Sequence, residues 1–259
     1  MIGQAIGGVF PALVDIFIVA LQVKEEDVGS TCFTIATIVL LACLFSLRWS
    51  FQTNFFKHYY LHRQQNDDEP AVIEKPPLLQ VIRCCWVYLL SIFVTFTITL
   101  TIFPSVAVLV QSETYNSNSK WAVDYFTPVC VFLLFNVGDL AGRSLASWIK
   151  LPGRSTFGKT LVLISSISRI GFIPLFVNCN IVTENRSVRS LFGSDADFIA
   201  FMALFALSNG YIGNLCMLNG PKSSCDKEMQ EAIALLLIAG LVLGTGVGSF
   251  LSYPLVTVL

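Results

Sequence analysis

The chain has 259 residues, of which 54% are hydrophobic and 13% charged, with a formal net charge of −1 and a mean hydropathy of +0.70. An ordinary soluble domain is about 25% charged, and no such domain of this length has interior enough for so much apolar side chain. The composition excludes a soluble enzyme or a nucleic-acid binder and points to an integral membrane protein.

Seven apolar runs are long enough to span a bilayer, at about 20 residues each. They cover roughly 2–22, 31–49, 84–109, 125–149, 159–178, 197–219 and 232–258. None alternates as a barrel strand does, and in lipid only a helix closes its own backbone hydrogen bonds within one segment. The expected class is an all-α polytopic protein with seven transmembrane helices. The first run has no basic region before it and carries Asp15, unlike a signal peptide. Asp15 has no obvious partner in the sequence and is expected to face either a cavity or a helix absent from this chain.

Between the second and third runs lies the one long gap, residues 50–83. Its centre, QQNDDEPAVIEKPP, is polar and holds three prolines, which reads as a flexible linker. The expected organisation is therefore two helices in 1–49, a linker in 50–83 and five helices in 84–259. His58 and His62 lie in this gap with Tyr59 and Tyr60 between them, an interfacial patch and not a metal site, which needs more ligands.

The third run contains FTITLTIFPSV (96–106). Pro104 should kink it, and Thr95, Thr97, Thr99 and Thr101 have hydroxyls for backbone or solute. The fourth contains FNVGDLAGRSLAS (135–147). At about 100° per residue, Phe132, Asn136, Asp139 and Arg143 form a column on one face. Asp139 and Arg143 are also an i, i+4 pair. Each such charge costs ~2.5–3.5 kcal/mol near a helix centre. The column either lines a water-accessible cavity for a polar solute or locks two helices together, and one geometry can do both. Arg169, mid-way along the fifth run, reads as a structural counter-ion at the depth of Asp139.

The sixth run contains LSNGYIGNLCMLNGPK (207–222). It is either locally irregular or a plain helix packed closely at glycine, with its Asn side chains bonded across helices. In the seventh, Gly240, Gly244 and Gly248 recur every four residues, a seam for close helix contact. GTGVGS there lies in an apolar run with no strand before it, so it is no phosphate loop.

Lys and Arg set the orientation. Even-numbered gaps and their flanks hold ten of them, odd-numbered gaps four. The even gaps are therefore expected to be cytoplasmic, with the N-terminus cytoplasmic and the C-terminus extracellular. The sequon Asn185-Arg186-Ser187 falls in a gap placed outside, as a glycosylation acceptor should. The eight cysteines are scattered, with no CxxC, and read as small buried side chains. Nothing calls for catalysis, a metal or a cofactor. A seven-helix receptor is disfavoured by the cytoplasmic N-terminus and by the lack of a DRY box or an NPxxY.

FNVGDLAGRSLASWIKLPGRS (135–155) resembles the signature helix of the equilibrative nucleoside transporters, approximately F-N-x-x-D-x-x-G-R-S-L followed by an aromatic residue and a Pro-Gly loop. FTITLTIFPSV, LSNGYIGNLCMLNGPK, the Gly-rich closing helix and the opening MIGQAIGGVF are similar to other family segments, in order along the whole chain. The resemblance implies an eleven-helix, major-facilitator-like 6+5 fold joined by a long cytoplasmic loop. It implies passive, sodium-independent nucleoside movement by alternating access, with the plasma membrane favoured. Asp139 and Arg143 would hold the ribose hydroxyls, and Asn136, Phe132 and Phe103 would line the same cavity. Gly138 and Leu140 replace bulkier family residues, which leaves solute preference open. The chain begins where the family's fifth helix begins, so it is expected to lack the first four helices and to transport poorly by itself. The alternative is a non-transporting piece that self-associates or joins a full-length transporter.

Overall fold

A computed structural model describes residues 2–23, 25–58, 76–117, 119–149, 155–181 and 191–259. Asn185, His62 and most of the polar linker lie outside the described residues. The chain divides into two compact units, Met1–Ile16 with Pro76–Leu259, and Phe17–Lys75.

Among the described residues, six helices are long and apolar enough to cross a membrane: Asp27–Ser50, Leu78–Leu109, Trp121–Trp148, Thr156–Val177, Asp195–Asn219 and Lys227–Val258. All-α architecture is as expected; a count of seven is not reached. The first run forms α1, Ile2–Ala20, of which Ile6–Ala20 is the described apolar stretch.

The Phe17–Lys75 unit holds the end of α1 (Ile2–Ala20) and all of α2 (Glu25–Ser50). Thr31, Thr34 and Thr37 of α2 donate back to the carbonyls of Asp27, Ser30 and Phe33. That is how a helix hides hydroxyls in apolar surroundings.

The larger unit contains α3 (Leu78–Ile102), α4 (Leu134–Trp148), α5 (Thr156–Ser168), α6 (Phe172–Val177), α7 (Asp195–Asn219) and α8 (Lys227–Val258). Pro104 does more than kink the third span: it ends α3. Phe103 is extended at φ −105°, ψ 129°, the conformation into which a following proline pushes its neighbour. A short 3-10 turn, Ala107–Leu109, follows. The fourth span begins in wide π-helical turns, Trp121–Tyr125 and Thr127–Leu133, before tightening into α4. Pro128 lies in this stretch and cannot donate the i→i−4 bond of a regular helix. α5 and α6 form one span broken by the 3-10 turn Arg169–Gly171. Pro174 has no N–H for the carbonyl of Ile170, which is a sufficient cause.

Ser155 caps α5 by accepting from the Gly158 N–H, and Ser194 caps α7 by accepting from the Ala196 N–H. At that end of the unit, Asp195 accepts from the Ser112 hydroxyl at 2.6 Å and the Glu113 N–H at 2.9 Å. The Gln111 N–H donates to the Asn180 carbonyl at 2.9 Å, and Asn180 Nδ2 returns a bond to the Gln111 carbonyl at 3.0 Å. These contacts tie the segment after α3 to the segment after α6 and to the start of α7.

Glycine decides two helix pairs. The α8 seam lies against α3 as its spacing predicts. A Cβ on Gly240 would stand 2.5 Å from Leu89 Cδ1, one on Gly244 2.6 Å from the Phe93 carbonyl oxygen, and one on Gly248 would strike the Thr97 carbonyl. α4 and α7 meet in the same way. A Cβ on Gly138 would lie 2.7 Å from Ala206 Cβ, one on Gly142 2.8 Å from the Tyr211 nitrogen, and one on Gly210 2.9 Å from the Arg143 nitrogen. α7 is helical throughout, so close packing, not local irregularity, is the outcome for the sixth run.

Two apolar clusters flank this crossing. One gathers Ile98, Ile102, Phe126, Phe135, Phe176, Phe198, Phe205 and Ala206. The other gathers Tyr88, Ile92, Ala146, Val162, Ile212 and Leu215. On α4 and α7 a short stretch separates the two clusters and carries Asn136, Asp139, Arg143, Ser208 and Asn209; Thr99 on α3 and Asn214 on α7 lie beside it.

Candidate solute site

In that layer Asp139 and Arg143 are 6% and 7% exposed. Arg143 Nε donates to Asp139 Oδ2 at 2.7 Å. One helical turn separates the pair, as the i, i+4 spacing requires. The other carboxylate oxygen, Oδ1, accepts from Asn209 Nδ2 at 2.7 Å. Asn214, one turn and a residue further along α7, donates from Nδ2 to the Arg143 carbonyl at 2.7 Å and to Ser147 Oγ at 3.2 Å. The close α4–α7 approach at Gly142 and Gly210 is what lets two short amide side chains reach across.

The rest of the column is less polar in its contacts. Asn136 is half-buried and donates back to the Phe132 carbonyl at 2.8 Å. In α1, a Cβ on Gly8 would strike Asn136 Oδ1, so the first helix comes directly against the column there. Phe132 meets Phe103 edge-on at 5.9 Å, and Phe103 stacks on Phe135 at 3.9 Å with 12° between the planes. The break at Pro104 therefore delivers Phe103 to α4, and the candidate residues form one aromatic group and one charged group on the same helix.

Arg169 is 1% exposed. It reaches the layer, and its hydrogen bonds go to α3 and α7. It donates from Nη1 to the Phe205 carbonyl at 2.9 Å and to Ser208 Oγ, and from Nη2 to Thr99 Oγ1 at 2.9 Å. Its guanidinium stands 4.5 Å from the Phe205 ring centre, a cation–π distance. Thr99 crosses to α7 and to Arg169; Thr101 bonds back to the Thr97 carbonyl at 2.8 Å and reaches the Gly248 carbonyl of α8 at 3.4 Å. Sequence reasoning marked Thr99 and Asn209 as polar, but not Thr99 as a partner of Arg169 nor Asn209 as a partner of Asp139. No local pattern pairs residues 70 apart.

An apolar groove of about 420 Å³, lined by Trp86, Leu89, Leu90, Phe93, Leu236 and Leu243, lies elsewhere, between α3 and α8. With almost no polar lining it cannot orient a hydroxylated solute. No group of three metal-ligating side chains occurs among the described residues.

The nucleoside transporter family profile matches residues 61–257. Equilibrative nucleoside transporter 1 of Rattus norvegicus is 33% identical over 99% of this chain and 62% of its own length. The chain belongs to the equilibrative nucleoside transporter family. Equilibrative nucleoside transporter 2 of Homo sapiens is 38% identical over 73% of this chain and 40% of its own length, and equilibrative nucleoside transporter 1 of Homo sapiens 44% identical over 62% and 34%. The chain thus spans between about a third and three fifths of these relatives. The family region contains α3 to α8 and hence the whole polar layer. This member of the family is a multi-pass membrane protein by its apolar helices.

Proposed function

We propose that this chain carries the solute site of a facilitative, sodium-independent nucleoside transporter working by alternating access. The observation that supports it is the buried Asp139–Arg143 pair inside a family member. A ribose diol offers both donors and acceptors; the carboxylate accepts and the guanidinium donates, with charge-assisted strength. Phe103 and Phe132 present flat faces suited to a base, Asn136 adds an amide, and Arg169 is the structural counter-ion behind them. The N-terminus is cytoplasmic, the C-terminus extracellular, and the plasma membrane is the site of action. The domain reading of two helices, a linker and a five-helix half accompanies this proposal, as does the absence of enzymatic activity.

The test is uptake of labelled uridine and adenosine in cells lacking their own nucleoside uptake. Wild type is compared with Arg143→Ala at matched surface expression. Uptake is expected to saturate and to survive sodium replacement. Loss of hydrogen bonds to a charged group is worth about 1.5–3 kcal/mol, so Arg143→Ala should lower uptake at least about tenfold. Equal uptake in the variant would remove Arg143 from the site.

A second reading is favoured by the span of the chain, which leaves between about two fifths and two thirds of these relatives unmatched. In it, the chain does not transport alone but associates with itself or with a full-length transporter. Co-purification of differently tagged copies, and of a tagged full-length family member, separates the two. For orientation, Asn185→Gln should abolish a glycosidase-sensitive mobility shift; a shift that persists would contradict the outside placement of that loop.

A further inference from the structure

The interior of α3 to α8, away from the helix ends, holds one carboxylate, Asp139, and two guanidiniums, Arg143 and Arg169. Arg143 is paired with Asp139 directly. Arg169 is joined to it by a chain of two side chains. A guanidinium can only donate, so Thr99 Oγ1 is the acceptor of the Arg169 Nη2 bond. The single proton of that hydroxyl then has two acceptors within reach, the Thr95 carbonyl at 2.7 Å and Asn209 Oδ1 at 2.8 Å. The Asn209 amide is oriented by the Asp139 carboxylate, which can only accept. Its oxygen faces Thr99 and its NH2 faces Asp139 Oδ1. The flipped amide would set oxygen against carboxylate oxygen. With that proton donated to Asn209 Oδ1, donors run one way, from Arg169 through Thr99 and Asn209 to Asp139, while Arg143 holds the other oxygen from the far side.

Arg169 also abuts the aromatic group. Its guanidinium lies over Phe205, Phe205 lies 6.1 Å from Phe135, and Phe135 stacks on Phe103.

We infer that Thr99 and Asn209 are positioning residues of the solute site and that Arg169 acts on Asp139 through them. The inference rests on the reading of Asp139 and Arg143 as the nucleoside site. None of the three touches the solute; they set the plane of the carboxylate that does. Low-dielectric surroundings strengthen such a chain and make a broken link costly.

The experiment uses the purified full chain in lipid nanodiscs, with labelled uridine as the probe. Infrared difference spectra follow the Asp139 carboxylate band, identified by its loss in Asp139→Asn. Thr99→Val keeps the volume and removes the hydroxyl. It should weaken uridine binding about tenfold and shift the band, and Thr99→Ser should restore both. Asn209→Leu should weaken binding as well, and adding Thr99→Val to it should cost nothing more, because the chain is already cut. Wild-type binding in Thr99→Val, with binding lost in Arg143→Ala, would overturn the inference. So would additive losses with an unmoved band. If Arg143→Ala binds as wild type, or wild type binds no uridine, the solute reading fails by itself. The band then decides the rest: a shift in Thr99→Val supports the hold on Asp139, and no shift overturns it.

Discussion

Asp139→Ala is expected to be the most damaging single change in the chain. It removes the one carboxylate of the layer and leaves two buried guanidiniums behind. Arg143 Nε and Asn209 Nδ2 both lose their acceptor. Breaking a buried pair from one side costs about 3–5 kcal/mol, against a total stability of about 5–15 kcal/mol for a folded protein. The variant should accumulate poorly, and the fraction that folds should melt well below wild type when followed by fluorescence-detected size exclusion in detergent. Nucleoside binding should vanish with it. The double change Asp139→Leu with Arg143→Met should recover much of the stability and none of the binding, because an apolar pair of similar volume makes no demand for a partner. An Asp139→Ala protein that melts with wild type would show that the carboxylate does not anchor the layer.

Gly210→Ala comes next, and its effect should exceed what one methyl group ordinarily does. The new Cβ would overlap the Asp139 carbonyl, 2.8 Å from its carbon and 2.9 Å from the Arg143 nitrogen. These are backbone atoms of α4, so no side chain can swing aside, and the two helices must separate. Overpacking of this kind costs about 1–3 kcal/mol. The separation also pulls Asn209, its neighbour on α7, from Asp139. Both the melting temperature and nucleoside affinity should therefore fall. Gly213→Ala, one turn along the same helix, is the control. Its Cβ would meet only the tip of the Phe96 ring, at 3.3 Å, and that ring can shift by tenths of an ångström. Its melting temperature and affinity should stay near those of wild type. If the two variants lose stability equally, helix crowding in general would be the cause, not the α4–α7 crossing.

The relay and the crossing are linked physically. Small residues admit the helices to backbone contact, and only at that distance does an asparagine side chain span from α7 to a carboxylate on α4. The wide turns before α4 and the break at Pro104 act at the other end of the column, where they place Phe103 on Phe135. Proline therefore shapes the aromatic end of the candidate site and glycine its polar end.

Much of this was legible beforehand. Apolar runs located the spans from the third to the seventh to within about six residues, because burial in lipid demands about 20 apolar residues whatever the neighbours are. The starts of the spans were missed in one direction, and the break of α3 at Pro104 and the wide turns before α4 were missed in the other. α3 begins at Leu78 and α8 at Lys227, ahead of the apolar runs, since a helix can extend past the hydrocarbon with polar residues facing water. The i, i+4 spacing of Asp139 and Arg143 determined their ion pair, a purely local geometry. The glycine seam of α8 was equally plain from its four-residue period.

What the chain's own order of residues decided is whatever depends on one helix at a time: membrane class, helical spans, the Asp139–Arg143 pair and the family resemblance. Tertiary structure decided which helices meet and therefore which polar groups are partners. Arg169 stood at the depth of Asp139 on paper, yet its guanidinium ends on Thr99, Ser208 and the Phe205 carbonyl. The Phe103–Phe135 stack and the Asn209–Asp139 bond, 70 residues apart, are likewise invisible to any local rule. Helix periodicity specifies a face but not its neighbour, because in lipid no hydrophobic force between helices chooses one. The choice falls to shape and hydrogen bonding, which exist only once the helices have packed.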